Sequence, residues 1–176
     1  MSECRIIKSK KFHDDRGYFL EIWNKRKLKN LGIFDIFVQE NCSRSLKAGT
    51  IRGLHFQVPP FAQAKLVRCN KGKIFDVAVD LRKSSSRFGE WSGFELSDHD
   101  DDMVYIPEGF AHGFVTLQAD TEVTYLCSKF YTPSAEMSLI WNDKNIGIKW
   151  PINDDPILSD KDSRAQQFDA FESPFI

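Results

Sequence analysis

Residues 73–82, KIFDVAVDLR, carry the pattern that most restricts the fold of this chain. Successive side chains of a β-strand point to opposite faces, so a period of two predicts a strand. The two alternating sets are Phe75, Val77, Val79 and Leu81 on one face and Ile74, Asp76, Ala78 and Asp80 on the other. The first face is apolar, and the second carries carboxylates. A turn signal, NKGK, separates this strand from another strand candidate, KLVRC (65–69).

Further strand candidates recur along the chain, separated by turn signals roughly every ten residues. They are FVQEN (37–41), WSGFEL (91–96), MVYIP (103–107), GFVTL (113–117) and EVTYLCSKFY (122–131). This spacing is typical of an all-β sandwich or barrel. Helix is indicated only for NKRKLKNL (24–31) and for SDKDSRAQQF (159–168), where Ser159 is suited to cap a short turn.

Length and composition restrict the class of protein. A chain of 176 residues is long enough to bury one core, and we expect a single domain over residues 1–176. Hydrophobic residues make up 41% of the chain and the formal net charge is −1, which argues against disorder and against general nucleic-acid binding. A small-molecule partner is therefore the expectation.

Neither a membrane span nor an export signal is expected. The apolar stretches are far shorter than the ~18 residues that indicate a membrane span. The first residues, MSECRIIKSKKF, contain no apolar signal-peptide core. No C-x-x-C pair occurs, which suits buried, reduced thiols at Cys4, Cys42, Cys69 and Cys127. These features predict a cytoplasmic protein without a disulfide framework.

Two histidines stand in otherwise apolar, strand-like runs. His55 lies in IRGLHFQ (51–57) and His112 in YIPEGFAHGF (105–114). An isolated histidine of this kind is as often a hydrogen-bonded core residue as a functional one, so its context decides. If the face of His55 lines a barrel interior, a titratable ring lies in a pocket. An extended strand would place Gly53, His55 and Gln57 on one face and Arg52, Leu54 and Phe56 on the other.

The two histidine segments resemble the two short motifs of the cupin β-barrel, and PEGFAH (107–112) matches the second motif closely. Metal-dependent cupins carry H-x-H in the first motif, where this chain has His55-Phe56-Gln57. Glutamine is a poor neutral donor for iron or zinc compared with imidazole. The resemblance therefore disfavours a metal and leaves His55 available as a proton carrier.

Longer segments extend the resemblance from about Phe12 to Asp162. In chain order they are DDRGYFLEIWN, FVQENCS, IRGLHFQVPPFAQAKLVRCNKGKIFDVAVDLRKSS, FGEW, IPEGFAHGF, TYLCSKFY and WNDKNIGIKWP. Their order and spacing resemble those of the dTDP-4-dehydrorhamnose 3,5-epimerase family. The resemblance implies a cupin-type β-barrel or jelly roll with short peripheral helices. It also implies an epimerase that inverts C3 and C5 of a dTDP-4-keto-6-deoxy-hexose without a cofactor.

Inverting a carbon next to a ketone requires a base, a group that stabilises the enolate oxygen, and an acid on the opposite face. By resemblance the base corresponds to His55, the acid to Tyr125 and the enolate stabiliser to Lys65. Asp162 corresponds to the carboxylate that orients the base. An alternative stays open, because Ser159-x-x-Asp162 also resembles a capping box. Other acids in matching runs are Asp76, Asp80 and Asp143.

The remaining matched residues imply a nucleotide-sugar site. Guanidinium groups suit a diphosphate, and by resemblance Arg16 and Arg52 supply them. His112 corresponds to a donor to the keto oxygen or its neighbour. In this family a neighbouring subunit completes the nucleotide site, so a homodimer is implied. The other binding positions are Glu21, Gln39 and Asn41 at the nucleobase end of the nucleotide, together with Glu136 and Lys161.

Other functions stay compatible with these residues. Relatives with the same acid and base act on other nucleotide-linked 4-keto sugars or on one carbon only, because pocket shape sets the preference. A metal-dependent cupin would need imidazole and carboxylate ligands, and Gln57 speaks against it. A non-catalytic cupin that binds a nucleotide sugar would tolerate loss of the base or the acid. The presence of both His55 and Tyr125 disfavours that alternative.

Overall fold

The alternating segments pair into antiparallel strands throughout residues 3–176, the part of the chain that this computed structural model describes. The strands are β1 (Arg5–Ile7), β2 (Lys11–Asp14), β3 (Gly17–Leu20), β4 (Gln39–Ser45), β5 (Ile51–Gln57), β6 (Lys65–Lys71), β7 (Lys73–Asp80), β8 (Trp91–Ser97), β9 (Met103–Ile106), β10 (Phe110–Thr116), β11 (Thr121–Cys127) and β12 (Glu136–Ser138). Two predicted strands are shifted or shorter, since β4 begins at Gln39 and β11 ends at Cys127.

The strands form two five-stranded sheets and a separate hairpin. The first sheet has the order β1-β9-β6-β11-β4, and the second has the order β12-β5-β10-β7-β8. The hairpin pairs β2 with β3. Only two short α-helices occur in residues 3–176, α1 (Lys25–Asn30) and α2 (Asp160–Ser163), and both lie in the predicted segments. Two packed antiparallel sheets with short peripheral helices confirm the predicted cupin-type class.

Three apolar clusters hold these layers together. One lies between the sheets and includes Val67, Val104, Ile74 and Phe114. A second covers the outer face of the β5-β10-β7 strands with side chains of the carboxyl-terminal segment, and it includes Leu54, Phe56, Val79, Leu139 and Phe171. A third packs Leu28 of α1 and Ile33 against Leu66 and Tyr105 of the first sheet. Both faces of the central strands are therefore buried.

The strand β7 shows what this double burial requires. Its outward residues Val77 and Val79 and its inward residues Ile74 and Ala78 are all fully buried. The carboxylates of the inward face are buried as well, with Asp76 at 0% exposure and Asp80 at 2%. A buried carboxylate is costly unless it is paired or hydrogen-bonded. The strand therefore brings two carboxylates into the interior, where each finds a partner.

A bulge in β5 changes which side chains share a face. His55 pairs with His112 of β10, but the next pair is Arg52 with Phe114, so β5 has one residue more than its partner over this interval. Gly53 makes this possible, because a Cβ atom there would lie 2.4 Å from the Cα atom of Gly113. The prediction that Arg52 points away from His55 is wrong, since both line one cavity.

Candidate active site

Two adjoining cavities of about 330 and 380 Å³ share His55, Lys65 and Tyr125 in their walls. His55 comes from β5 of the second sheet, whereas Lys65 and Tyr125 come from β6 and β11 of the first. Other predicted site residues line the first cavity, namely Arg52, His112, Lys161 and Asp162. Gln39, Asn41 and Glu136 line the second cavity. The fold therefore gathers most of the predicted set at one place.

His55 is held by Asp162. The Nε2 atom of His55 lies 2.5 Å from Oδ1 of Asp162. The backbone N–H of Asp162 donates to Oγ of Ser159 at 3.1 Å, while its carboxylate turns to His55 and accepts from the Gly53 N–H. Burial acts to raise the pKa of Asp162, but the hydrogen bond and charge of His55 outweigh it and lower this pKa. An ionised carboxylate in this position stabilises a protonated His55.

The other candidate acids have different partners. Asp76 contacts His112, with 2.7 Å between Oδ2 and Nε2. Burial lowers the pKa of His112, although the charge and hydrogen bond of Asp76 act in the opposite direction. Asp80 accepts from Arg82 and Ser85, and Asp143 accepts from the backbone N–H groups of Asn145, Ile146 and Phe168. Among these four acids, Asp162 is the one hydrogen-bonded to His55.

Lys65 and Tyr125 lie on the neighbouring strands β6 and β11 of the first sheet, and both line the two cavities. The ammonium of Lys65 lies 5.8 Å from the centre of the Tyr125 ring and 3.5 Å from the backbone oxygen of His55. Burial lowers the pKa of Lys65, and the charges of Cys127, Asp76 and Glu136 partly oppose this effect. Burial also raises the pKa of Tyr125, which keeps its hydroxyl protonated. A desolvated ammonium interacts strongly with a charge that develops beside it.

Hydrogen bonds hold the polar groups of the second cavity. Nε2 of Gln39 donates to Oδ1 of Asn41 at 2.9 Å, and Nδ2 of Asn41 lies 3.6 Å from Sγ of Cys127. Glu136 pairs with Lys161 at 2.5 Å and accepts from the hydroxyl of Tyr131 at 2.8 Å. These bonds link β4 with β11, and β12 with helix α2, around the cavity.

Arg52 lies on the wall of the first cavity. Its Nε atom donates to Oγ of Ser45 at 3.1 Å, and its Nη2 atom donates to the backbone oxygen of Arg44 at 3.1 Å. Both partners belong to β4, which lies in the other sheet. The guanidinium group is thus fixed beside the cavity that contains His55 and Asp162. A fixed guanidinium is suited to a phosphate group.

Two predicted binding residues lie outside both cavities of this chain. Arg16 stands at the turn of the β2–β3 hairpin, pairs with Asp14, and leaves 89% of its side chain exposed. Glu21 follows β3 and pairs with Lys27 of α1 at 2.6 Å. Neither residue lines a cavity of its own chain, and the expectation that a neighbouring subunit completes the nucleotide site stays a prediction.

Three residues of the site have roles that the sequence did not reveal. Asp76 supports His112, Cys127 lies beside Asn41, and Tyr131 contacts Glu136 at the second cavity. Tyr131 falls in a segment predicted as strand, although β11 ends before it. The available signal was its position in the matching run TYLCSKFY (124–131). Within residues 3–176, no three His, Cys, Asp or Glu side chains lie close enough to hold a metal ion.

Comparison with known proteins identifies the family. Residues 1–170 match a family model described as dTDP-4-dehydrorhamnose 3,5-epimerase. The chain belongs to this family. A dTDP-4-dehydrorhamnose 3,5-epimerase of Salmonella typhimurium is 49% identical over 165 residues, which cover 93% of this chain and 90% of that protein. This degree of identity over nearly the whole length shows that the chain is an epimerase.

Solved structures of family members share the fold. The dTDP-4-dehydrorhamnose 3,5-epimerase of Bacillus anthracis, with TDP and PPi bound, has a TM-score of 0.92 and 45% identity, covering 94% of each chain. The 3,5-epimerase of Legionella pneumophila, in complex with dTDP-4-keto-L-rhamnose, has a TM-score of 0.91 and 42% identity. That match covers 96% of this chain and 89% of the Legionella chain. The cupin-type fold of the epimerase family thus agrees with the two-sheet architecture.

Proposed function

We propose that this epimerase converts dTDP-4-dehydro-6-deoxy-D-glucose to dTDP-4-dehydro-L-rhamnose by proton transfer at C5 and C3. One observation carries the proposal: a carboxylate-bound histidine and a protonated tyrosine enter one cavity from opposing sheets, with a buried lysine beside the tyrosine. An acid and a base on opposite sides of a sugar ring can remove a proton from one face and return one to the other. The nucleotides named in the two related complexes support a dTDP-sugar as the substrate.

The base is His55. Its neutral ring accepts the proton next to the ketone, so a C–H bond breaks, an N–H bond forms, and the electron pair passes to the carbonyl oxygen as an enolate. The carboxylate of Asp162 stabilises the imidazolium that results, because it lies 2.5 Å from Nε2. His55 then passes this proton to solvent water and returns to the neutral form before the next half-reaction.

The enolate oxygen is stabilised by Lys65. Burial lowers the pKa of this lysine, and an enolate beside it favours the ammonium form. His112 is less suited to this role, since a neutral ring that donates Nε2–H to Asp76 has no second N–H to offer. Its pKa is lowered by burial, which disfavours the doubly protonated ring.

The acid is Tyr125. Its hydroxyl donates a proton to the carbon from the face opposite His55, so a C–H bond forms as the O–H bond breaks and the enolate collapses to the ketone. The raised pKa keeps the phenol protonated at neutral pH. Water then restores the proton to the tyrosine oxygen. Repetition at the second carbon gives the doubly inverted sugar.

Incubation of the wild-type enzyme with dTDP-4-dehydro-6-deoxy-D-glucose in D2O should label both C3 and C5. The new C–H bonds receive their protons from groups that exchange with solvent. Proton NMR and mass spectrometry of the product would measure the label at each carbon. Label at C3 alone would reduce the function to that of a mono-epimerase. Activity of another kind that is lost on chelation and restored by a metal would favour the metal-dependent cupin.

We also propose that the enzyme is a homodimer in which each chain completes the nucleotide site of the other. The β2–β3 hairpin forms its own sheet, and a two-stranded hairpin alone is only marginally stable in water. Its apolar side chains are exposed, namely Phe12, Tyr18 and Phe19. Arg16 lies at its turn and lines neither cavity. A hairpin that packs on a second copy would gain apolar contacts and carry Arg16 to the partner cavity.

Co-expression of an Arg16→Ala chain with a His55→Ala chain should restore activity that neither variant has alone. A mixed dimer contains one complete cavity, so random pairing should give about one quarter of the wild-type activity. The rate of epimerisation by the co-expressed dimers, purified without separating the mixed dimers from the others, would measure this. The matched control pairs His55→Ala with Asp162→Asn, because both changes affect the cavity of their own chain. Equal rates for the two mixtures would argue against a shared site.

We also propose a cytoplasmic location. The cysteines Cys4, Cys42, Cys69 and Cys127 are all free thiols. Free thiols persist in a reducing compartment. Within residues 3–176, no helix has both the length and the apolar character needed to span a bilayer.

A further inference from the structure

Gln57 is a buried residue of the first cupin motif that the chemistry described above does not use. It ends β5 and is only 3% exposed. Its Nε2 atom donates to the backbone oxygens of Phe61 at 2.7 Å and Phe130 at 3.2 Å. Its Oε1 atom accepts from the backbone N–H of Thr132 at 2.7 Å. One carboxamide thus joins two chain segments through three backbone groups.

Two of these three groups flank Tyr131. The neighbours Phe130 and Thr132 are both bonded to Gln57, and the N–H of Tyr131 itself donates to Oε1 of Gln39 at 2.8 Å. The backbone of Tyr131 is therefore fixed from both sides. The residue as a whole is 52% exposed, and its side chain lines the second cavity and donates its hydroxyl hydrogen to Glu136.

We propose that Gln57 is a positioning residue for substrate binding, an inference that rests on the proposed function. The carboxamide fixes residues 130–132 so that Tyr131 stays against Glu136 in the wall of the cavity. An amide offers two N–H donors and an acceptor, whereas a neutral imidazole offers one donor and one acceptor. Histidine at position 57 therefore cannot make the same three bonds. The position that holds a metal ligand in other cupins here builds the wall of the substrate cavity.

The substitution Gln57→Glu tests this with almost no change of shape. A carboxylate keeps the bond from Thr132 but places one oxygen atom, in the position of Nε2, against the carbonyl oxygens of Phe61 and Phe130. We expect the KM for the dTDP-sugar to rise about tenfold while kcat falls less than about threefold. A protonated carboxyl group donates one hydrogen bond, so the ratio of variant to wild-type KM should be smaller near pH 6 than near pH 9. Gln118→Glu, in an exposed loop, is the matched control.

A double variant tests whether Gln57 acts through Tyr131. Tyr131→Ala alone should raise KM, and the addition of Gln57→Glu should raise it little further, because coupled residues are not additive. The proposal would be overturned if the effects of the two substitutions on KM were additive. It would also be overturned if Gln57→Glu had a wild-type KM or lost activity only in kcat.

The substitution Gln57→Met removes the three hydrogen bonds without adding charge. If this variant and Gln57→Glu both fail to fold, Gln57 serves the stability of the whole protein and the proposal is wrong. An inactive wild type would instead refute the proposed function.

Discussion

The His55→Asn variant should show neither deuterium uptake nor epimerisation, with a rate at least about 10⁴-fold below that of the wild type. Asparagine keeps a polar group that can bond Asp162, but its amide has no basic nitrogen to accept a carbon-bound proton. The neighbouring groups cannot substitute, since His112 is paired with Asp76 and Lys65 is buried as the enolate stabiliser. Proton NMR in D2O measures exchange and inversion in the same sample.

A comparison with Tyr125→Phe separates the base from the acid. Phenylalanine keeps the ring and its packing but removes the hydroxyl, so His55 can still remove a proton and return a deuteron to the same face. Exchange without inversion is the expected signature of this variant. Deuterium exchange retained by His55→Asn would refute the assignment of His55 as the base. Epimerisation by Tyr125→Phe at the wild-type rate would show that another group or water acts as the acid.

Much of the fold follows from local sequence. The alternation in residues 73–82 predicts β7, and the capping residues Asn24 and Ser159 precede both helices. These features depend on period and on side chains within a few residues of one another. Burial of both faces of β7 does not follow from the local sequence, because side chains of the carboxyl-terminal segment cover its outer face. A strand pattern alone does not reveal what packs on its second face.

The site was predictable in its residue types but not in all of its geometry. Arg52 joins His55 only because β5 bulges against β10, and a register shift depends on the paired strand. The pairing of Asp76 with His112 likewise depends on β7 lying beside β10. Family resemblance predicted Arg16 and Glu21 as binding residues, but they line neither cavity of their own chain. A single chain cannot reveal the contribution of a second copy.

The Asp162→Asn variant should have a kcat about 10⁴-fold below that of the wild type, with KM nearly unchanged, as for amide replacement in other His–Asp pairs. Asparagine occupies the same space, but it neither stabilises the imidazolium by charge nor enforces the tautomer that leaves the catalytic nitrogen free. Steady-state kinetics with the dTDP-sugar would measure both constants. Unchanged kcat would contradict the assignment of Asp162 as the residue that orients His55.

Thermal melting of the same variant distinguishes this role from helix capping. The capping bond at α2 runs from the backbone N–H of Asp162 to Ser159, and asparagine retains that N–H. The loss of stability should therefore be about 1 kcal/mol or less, roughly 2–4 °C in Tm. The pKa of Asp162 is lowered in the folded protein, so its stabilising contribution is present above the ordinary aspartate pKa and is lost as the pH falls. The difference in Tm between wild type and variant should accordingly shrink in acid. A large drop in Tm with kcat intact would make Asp162 a structural carboxylate and leave His55 without a charged partner.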